Sequence, residues 1–416
     1  MSPDGPMSAS APFTEARRLA WLRLWRSDNI GPRTFQTLLK RFGSAEAALE
    51  ALPDLLRHNN PGRAIKIAAV ADIERELDLA ARCGARFIAM AEPTYPKLLL
   101  EIDSPPAVIA ARGNLDTLNR AAIGIVGARN ASAAGLAFAE RLARGLGQAG
   151  YVIVSGFARG IDSRAHRASL ASGTIAVLAG GHDKLYPADQ QPFLDRLLED
   201  GAAISEMPFG WEARGRDFPR RNRLVSGLSL GVVVVEAARR SGSLITARFA
   251  ADQGREVFAV PGSPLDPRAE GTNDLLRDGA TFCCEVDDVL RALADRVPAK
   301  GQGDLFSDAP ARDDEPLWDE LDLFGKAPAP EPARETTPLV YDNEDEPAPG
   351  GLEESGRRPV ERIVEKLGPT PISIDELGRA AELASREVRA ALLELELAGR
   401  IERHGGGLVS LIMASH

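Results

Sequence analysis

From about residue 121 onwards, short apolar runs alternate with longer stretches of helical periodicity. The apolar runs are rich in β-branched residues, nearly continuous, and bounded by glycine or polar residues. A strand that is buried on both faces of a sheet shows this pattern, because neither face can carry polar side chains. The sequence therefore predicts an α/β fold with a doubly wound, mostly parallel sheet. The predicted strands are 121–127, 151–156, 174–180, 202–207, 231–237 and 256–262.

Residues 14–91 have the periodicity of a small helical domain of the SAM/helix-hairpin-helix type. A Gly-Pro turn at 31–32 leads into one helix, and a Phe-Gly-Ser turn at 42–44 leads into the next. Such a hairpin can bind the DNA backbone through the amides of its turn. A helical pair that only packs on the neighbouring domain shows the same pattern, so both interpretations stay open. The predicted helices are 15–26, 33–41, 45–56 and 72–83.

After the α/β region, which we place at 95–297, the pattern changes twice. Residues 298–357 contain 16 acidic and 5 basic side chains and repeated prolines, which predicts a disordered linker. Residues 358–416 predict three helices followed by an apolar strand pair, the pattern of a winged helix. Its third helix, 385–398, has two arginines against three glutamates. This balance favours a contact with protein, or a purely structural role, over a contact with DNA.

Charge, cysteine content and hydropathy add to this domain assignment without altering it. The net charge is −10, but the linker alone accounts for the excess of acidic groups, so acidity says little about the folded regions. The three cysteines form no spaced pair and have no histidine cluster beside them, which predicts neither a disulfide framework nor a metal site. The sequence shows no signal-peptide core and no apolar run long enough to span a membrane, so we expect a cytoplasmic protein.

Glycine, serine and basic residues cluster where five of the predicted strands end. The carboxyl ends of parallel strands meet at one edge of the sheet, where ligands bind. Glycines let a phosphate approach the backbone, helix N-termini offer amides, and arginine forks onto phosphate oxygens. The sequence therefore predicts a phosphate site built from five loops. Its residues are Gly127, Arg129 and Ser132; Ser155, Gly156, Arg159 and Gly160; Gly181 and Lys184; Arg221, Asn222 and Arg223; and Ser241, Gly242 and Ser243.

Two residues in these segments, Phe218 and His166, can each be interpreted in two ways. Phe218 either stacks on a nucleobase or anchors its loop to the core. His166 lies mid-helix with no acidic or cysteine partner evident in the sequence, which favours a structural role over acid–base catalysis. The sequence contains no Walker lysine and no catalytic trio, so we expect neither catalysis nor a bound cofactor.

Together these segments resemble the DNA-processing protein A family, also called DprA or Smf. The motifs that carry the resemblance run in order from about 95 to 285: YPKLLLEIDSPPAVIAARGN, GIVGARNAS, VSGFARGID, TIAVLAGGHDKLYP, FPRRNRLVSGLS, VVVEAARRSGSLITA and GTNDLLRDGA. The resemblance implies a Rossmann-like core that binds single-stranded DNA without ATP and forms a homodimer. It also implies protection of incoming DNA and loading of the RecA recombinase during natural transformation or recombination. In the family, the residue matching Arg129 contacts phosphate, and the dimer contact lies near Leu275 and Leu276.

Two enzyme classes remain as alternatives on the same core pattern. Nucleotide phosphoribohydrolases resemble a PGGxGTxxE motif whose glutamate acts in hydrolysis, and the nearest segments here, AGGHD and SGSLITA, lack that glutamate. A nicotinamide oxidoreductase needs an acidic residue at the end of the second strand, where this chain has Ser155. We therefore favour DNA binding over either enzyme.

Overall fold

The computed structural model describes residues 13–59, 66–294, 358–398, 400–404 and 407–412. The predicted linker at 298–357 lies outside the described residues. No helix in the described ranges combines the length and the apolar character that a membrane crossing requires.

The N-terminal region is helical, as predicted. Within the described residues its helices are α1 (Glu15–Trp25), α2 (Pro32–Phe42), α3 (Ala45–Asn59) and α4 (Val70–Arg82). Helix α2 begins at a proline, whose fixed φ suits the first turn, and it ends at Gly43, whose φ of 77° favours glycine. Trp21 and Trp25 both pack edge to face on Phe35, which fixes the helices around one aromatic centre.

The central sheet contains nine strands within the described residues. They are β1 (Arg86–Ala89), β2 (Val108–Gly113), β3 (Ala122–Val126), β4 (Val152–Ser155), β5 (Thr174–Val177), β6 (Ala202–Ser205), β7 (Gly231–Val234), β8 (Glu256–Ala259) and β9 (Thr281–Phe282). Their order is β1-β2-β6-β5-β4-β3-β7-β8-β9. From β6 to β9 all neighbours are parallel, whereas β2 pairs antiparallel with both β1 and β6. The predicted doubly wound, mostly parallel sheet is confirmed.

Helices cover both faces of this sheet. They are α5 (Lys97–Leu100), α6 (Ala133–Gln148), α7 (Ile161–Ala168), α8 (Gln191–Asp200), α9 (Asp217–Gly227), α10 (Gly242–Asp252), α11 (Glu270–Arg277) and α12 (Val286–Leu293). Successive strand residues point to opposite faces, so Ile123 and Ile125 of β3 pack with α6 and α7, whereas Ala122 and Val126 pack with α9 and α10. Burial on both faces is the physical reason for the continuous apolar runs in the sequence.

The strand order reverses between β3 and β7. Strands β4, β5 and β6 follow on one side of β3, and β7, β8 and β9 follow on the other. The helices after β3 and β7, which are α6 and α10, pack on opposite faces. The loops that lead into them therefore separate and open a crevice, which is where ligands bind in sheets of this kind.

The C-terminal region forms the predicted winged helix. In its described part, helices α13 (Pro359–Lys366), α14 (Ile374–Ala381) and α15 (Ser385–Leu397) accompany strands β10 (Ile372–Ser373), β11 (Ile401–His404) and β12 (Leu408–Leu411). Ala133, in the first turn of α6, is buried in the same cluster as the winged-helix core. Arg268 of the preceding domain donates to the carbonyl of Leu367 (3.0 Å), so the winged helix rests on the central domain beside α6.

The helical region and the sheet share a buried core and a buried polar network. Arg26 at the end of α1 pairs with Glu76 of α4 (2.9 Å) and donates to the carbonyl of Glu206 after β6 (2.9 Å). The Glu76 carboxylate also accepts from the Phe209 amide (3.3 Å). Phe209 in turn joins the aromatic core of the helices together with Phe87 of β1. The first helices and the sheet edge are thus one packed unit.

Candidate nucleic-acid interface

The predicted loops meet at the carboxyl edge of the sheet, around the crevice between β3 and β7. Arg159, in the loop after β4, pairs with Asp189 in the loop after β5 (3.1 Å). Tyr186 of that second loop contacts the ring of Phe218 at the start of α9 (5.5 Å between centroids). The guanidinium of Arg129, in the loop after β3, lies 5.3 Å from the same Phe218 centroid. A cation and two aromatic rings from three separate loops therefore form one surface.

The loop after β3 is packed against the protein at Gly127 and Ser132 and partly exposed at Arg129 between them. Gly127 sits where a Cβ atom would come within 2.7 Å of the Ile161 side chain, so the loop packs closely on α7. Arg129 is partly exposed at the crevice. Ser132 is buried and caps α6, where its hydroxyl accepts from the Gly135 amide (2.9 Å).

A glutamate that the sequence reasoning missed occupies the N-terminus of α6. The carboxylate of Glu236, two residues after β7, accepts from the Ser132 amide (2.8 Å) and from the Ser132 hydroxyl. Burial raises the pKa of Glu236, and the two bonds from Ser132 act in the opposite direction. The predicted phosphate contact of Ser132 is not available in this arrangement, because an internal carboxylate already takes its donors. The sequence does contain a signal for this contact: a glutamate close to the end of β7, one of the two strands between which the strand order reverses.

The loop after β4 is shaped by buried groups. The Ser155 hydroxyl is fully buried and donates to the Ile125 carbonyl (2.6 Å), so it supports the sheet edge and does not face the crevice. The Gly156 amide donates to Asp162 (3.1 Å). Gly160 has a φ of 76° directly before α7, a backbone conformation that favours glycine. Arg159 alone among the four predicted residues of this loop extends a charged side chain outward.

Arg221 and Arg223 of α9 were predicted as phosphate contacts, but the structure buries both guanidiniums. Arg221, 5% exposed, donates to the carbonyls of Gly156 and Val177, the latter at 2.6 Å. Arg223, 1% exposed, forms a buried ion pair with Glu206. The prediction is corrected for both: their hydrogen-bonding groups hold the protein together, because a buried charge is stable only when it is paired and hydrogen-bonded.

Three further predicted site residues, Gly181, Lys184 and Asn222, differ in how far they are exposed. Gly181 is buried in the turn after β5, and the Lys184 ammonium lies 3.7 Å from the exposed Glu212 carboxylate. Asn222 of α9 is partly exposed and donates to the Gly242 carbonyl (3.2 Å), which links the fourth loop to the fifth.

The N-terminus of α10 is open, in contrast to that of α6. Ser241 caps the helix and its hydroxyl lies 2.8 Å from the hydroxyl of Ser243, which is buried. Gly242 is exposed, and no atom lies within 4 Å of where its Cβ would be. The positive end of the helix dipole makes such a terminus attractive to an anion.

His166 has a structural environment, in agreement with the sequence interpretation. Its Nδ1 lies 2.7 Å from the Thr174 hydroxyl, which itself donates to the Ile153 carbonyl (2.7 Å). A neutral ring with its proton on Nδ1 can donate to this hydroxyl. Burial, and next the nearby Arg221, lower the pKa of His166 to about 3, so the ring is neutral near pH 7. Among the described residues, no cluster of His, Cys, Asp or Glu is arranged to hold a metal ion.

The two leucines predicted at a dimer contact lie on α11. Leu275 is partly buried and packs against the core between the sheet and α9, and Leu276 is also partly buried. Helix α11 touches the candidate site indirectly, because Arg239 in the loop after β7 pairs with Asp274 (3.1 Å).

Fold and site together define a three-part protein: a helical domain, a Rossmann-like core with a polar loop cluster at its reversal point, and a winged helix. The family model described as "DNA recombination-mediator protein A" matches residues 86–294. The models "DprA-like N-terminal HHH domain" and "DprA winged helix domain" match 15–79 and 346–407. The chain belongs to the DprA/Smf family.

Individual relatives agree with this assignment. The DNA processing protein DprA of Bacillus subtilis is 43% identical over 51% of this chain and 73% of its own length. Protein Smf of Escherichia coli is 36% identical over 77% of this chain and 76% of its own length. The crystal structure of DprA from Streptococcus pneumoniae has 34% identity and a TM-score of 0.51, and it covers 60% of this chain and 82% of that one.

Proposed function

We propose that this protein binds single-stranded DNA in the crevice between the β3 and β7 loops and presents that DNA to the RecA recombinase. The observation that carries the proposal is the contact of the Arg129 guanidinium with the Phe218 ring at the reversal point of the sheet. A cation beside an aromatic ring matches the two chemical parts of a nucleotide, its phosphate and its base. Only an unpaired base exposes its face for stacking, so this surface suits a single strand better than a duplex.

The recombination role is supported at the level of the family. The matching family model describes a recombination mediator, and the bacterial relatives are named as DNA-processing proteins. The RecA partner, the protection of incoming DNA and the homodimer are parts of the proposal that come from the resemblance.

We also infer that the protein acts by binding and not by catalysis. Glu236 is the first candidate for a hydrolytic carboxylate because it lies at the reversal point, but both of its oxygens accept hydrogen bonds from Ser132. An incubation with nucleoside monophosphates should release no base. Base release that disappears in the Glu236→Gln variant would favour the phosphoribohydrolase alternative.

The Arg129→Ala variant tests the site directly. We expect affinity for single-stranded oligonucleotides to fall roughly tenfold or more, because a charge-assisted contact to phosphate is lost. The slope of log affinity against log salt should also flatten by about 0.7 for each phosphate contact removed. Fluorescence anisotropy at several salt concentrations, on single-stranded and duplex DNA of the same sequence, measures both quantities.

A matched control is Arg196→Ala, which removes the same charge from an exposed position in the second half of α8. It should leave the affinity within about twofold of the wild type, since Arg196 belongs to none of the loops of the candidate interface and salt screens exposed charges. Equal binding of single-stranded and duplex DNA by the wild type, or a folded Arg129→Ala variant with unchanged affinity and slope, would contradict the proposal.

A further inference from the structure

Tyr186 is a large ring that the structure leaves exposed at the edge of the candidate interface. It lies between β5 and α8 and is 45% exposed, whereas most aromatic rings of the central domain are buried or partly buried. No hydrogen bond to its hydroxyl occurs among the described residues. The sequence motifs contained this tyrosine, but the set of predicted site residues did not include it.

The neighbours of Tyr186 place it beside the cation that we assign to phosphate binding. Its ring meets the Phe218 ring at 71°, with 5.5 Å between centroids. Phe218 in turn lies next to the guanidiniums of Arg129 (5.3 Å) and Arg221 (6.0 Å). Arg129 therefore contacts the Phe218 ring, and Phe218 contacts the more exposed ring of Tyr186.

The loop that contains Tyr186 makes a second contact with the candidate interface, through Asp189. Asp189, three residues further on, pairs with Arg159 of the neighbouring loop (3.1 Å). Both partners are more than half exposed, so this ion pair contributes little stability, but it shows that the two loops lie side by side. A tyrosine that only filled a gap in the loop would bury its ring and bond its hydroxyl.

We propose that Tyr186 is a nucleobase-stacking residue, which accepts the base next to the phosphate held by Arg129. The inference rests on the proposed function, and it adds a base-binding subsite to the phosphate contacts. Every base has a stacking face, so the subsite tolerates any sequence. Stacking on one ring corresponds to a loss of roughly 5- to 150-fold in affinity when the ring is removed.

The test compares Tyr186→Ala with Tyr186→Phe in the full chain. We expect Tyr186→Ala to weaken binding of a single-stranded oligonucleotide at least fivefold, and Tyr186→Phe to bind within about twofold of the wild type. Because no charge is removed, the salt slope of Tyr186→Ala should stay at the wild-type value, unlike that of Arg129→Ala. Leu79→Ala, at an exposed apolar position on α4, is the control for loss of surface area.

A second readout locates the stacked base. Oligonucleotides with a single abasic position, scanned along the strand, should lose affinity for the wild type at one position and show no further loss there with Tyr186→Ala. A 2-aminopurine at that position should be quenched by the wild type and by Tyr186→Phe, and less by Tyr186→Ala.

The outcomes separate the two levels of the argument. If the wild type does not bind single strands, the proposed function itself fails. If the wild type binds and Arg129→Ala weakens it, but a folded Tyr186→Ala keeps its affinity, its abasic profile and its quenching, the base subsite is wrong and the function stands. A salt slope reduced by Tyr186→Ala would also overturn the subsite, because the variant would then act through displaced cations.

Discussion

Arg221 shows how a buried charged side chain can hold the loops of the candidate interface in place. Burial lowers the pKa of Arg221 to about 10, with the nearby Asp162 carboxylate acting against the shift, so the guanidinium is charged at neutral pH. It bonds to carbonyls at the ends of β4 and β5, which fixes two loops relative to α9. The Asp162 carboxylate accepts from the amides of Gly156 and Ala158 on the other side of the same loop. The partly exposed Arg129 and the exposed Arg159 therefore lie on loops that the buried Arg221 and its partners hold in place.

Two buried histidines make the stability of the fold depend on pH. Burial lowers the pKa of His166 to about 3 and that of His182 to about 4, from an ordinary value of 6.5. The unfolded chain therefore binds protons more readily than the folded chain. The free energy of unfolding should fall as pH falls from about 6.5 towards 4, by up to about 1.4 kcal/mol per pH unit for each histidine. Denaturant titrations at pH 7, 6 and 5 measure this loss.

The His166→Asn variant separates this effect from that of the carboxylates. Its amide nitrogen can still donate to the Thr174 hydroxyl, but it does not titrate. The difference in unfolding free energy between pH 7 and pH 5 should therefore be smaller for the variant than for the wild type. The same difference in both proteins would mean that His166 titrates normally in the folded state.

The directions of the α9 side chains were beyond sequence reasoning. The sequence motif predicted phosphate contacts for Arg221 and Arg223, and in the structure both lie on α9 with buried side chains. Residues two apart on a helix point in widely different directions, and Arg223 pairs with Glu206, which follows β6. A sequence contains both charges of a buried pair but not the fold that brings them together.

At the scale of elements, the buried parallel strands were predictable and the antiparallel edge was not. All six predicted strands occur, because burial on both faces leaves a continuous apolar run. Strand β1 is four residues long, begins at an exposed arginine and lies inside the segment predicted as helical, and β2 joins the rest of the sheet through a distant partner, β6. Short strands whose pairing is set by distant residues leave little periodic signal.

The open end of α10 gives a test in which stability and binding should move in opposite directions. A carboxylate introduced by Gly242→Asp should stabilise the fold by about 0.3 to 1 kcal/mol through the helix dipole. It should also weaken single-stranded DNA binding, because it occupies the anion-attracting end and repels phosphate. Thermal unfolding and anisotropy on the same preparation give both values.

Gly242→Ala is the matched control, since the space around Gly242 admits a methyl group without contact. It should bind DNA within about twofold of the wild type. If Gly242→Asp is stabilised but binds as well as Gly242→Ala, the α10 terminus lies outside the DNA path.

At the scale of the whole molecule, the proposed dimer would couple two DNA sites. Two joined sites raise the effective concentration of one strand segment near the second site, so affinity for long strands exceeds that of one site. Leu276→Asp should therefore give a folded monomer with weaker binding to long single strands and slower RecA filament formation on them. Light scattering, anisotropy and a RecA-dependent ATPase assay on coated strands measure the three effects.

Leu275→Asp is the less selective change, because Leu275 also packs on the core. Leu100→Asp, at an exposed leucine of α5, controls for the added charge and should remain dimeric. A wild type that does not accelerate RecA loading would overturn the partner, and a stable dimer in the Leu276→Asp variant would overturn the interface.

The shared core of the first helices and the sheet edge also sets an order of events during synthesis. Arg26 and its carbonyl partner at Glu206 are 180 residues apart in the chain. A ribosome adds roughly 5 to 20 residues per second, so the first helices wait about 9 to 36 s for that partner. During this interval the face that will receive Phe209 has no native cover. The N-terminal helices therefore leave the ribosome well before the residues that complete their packing, so part of their apolar core stays exposed to solvent while the chain is being made.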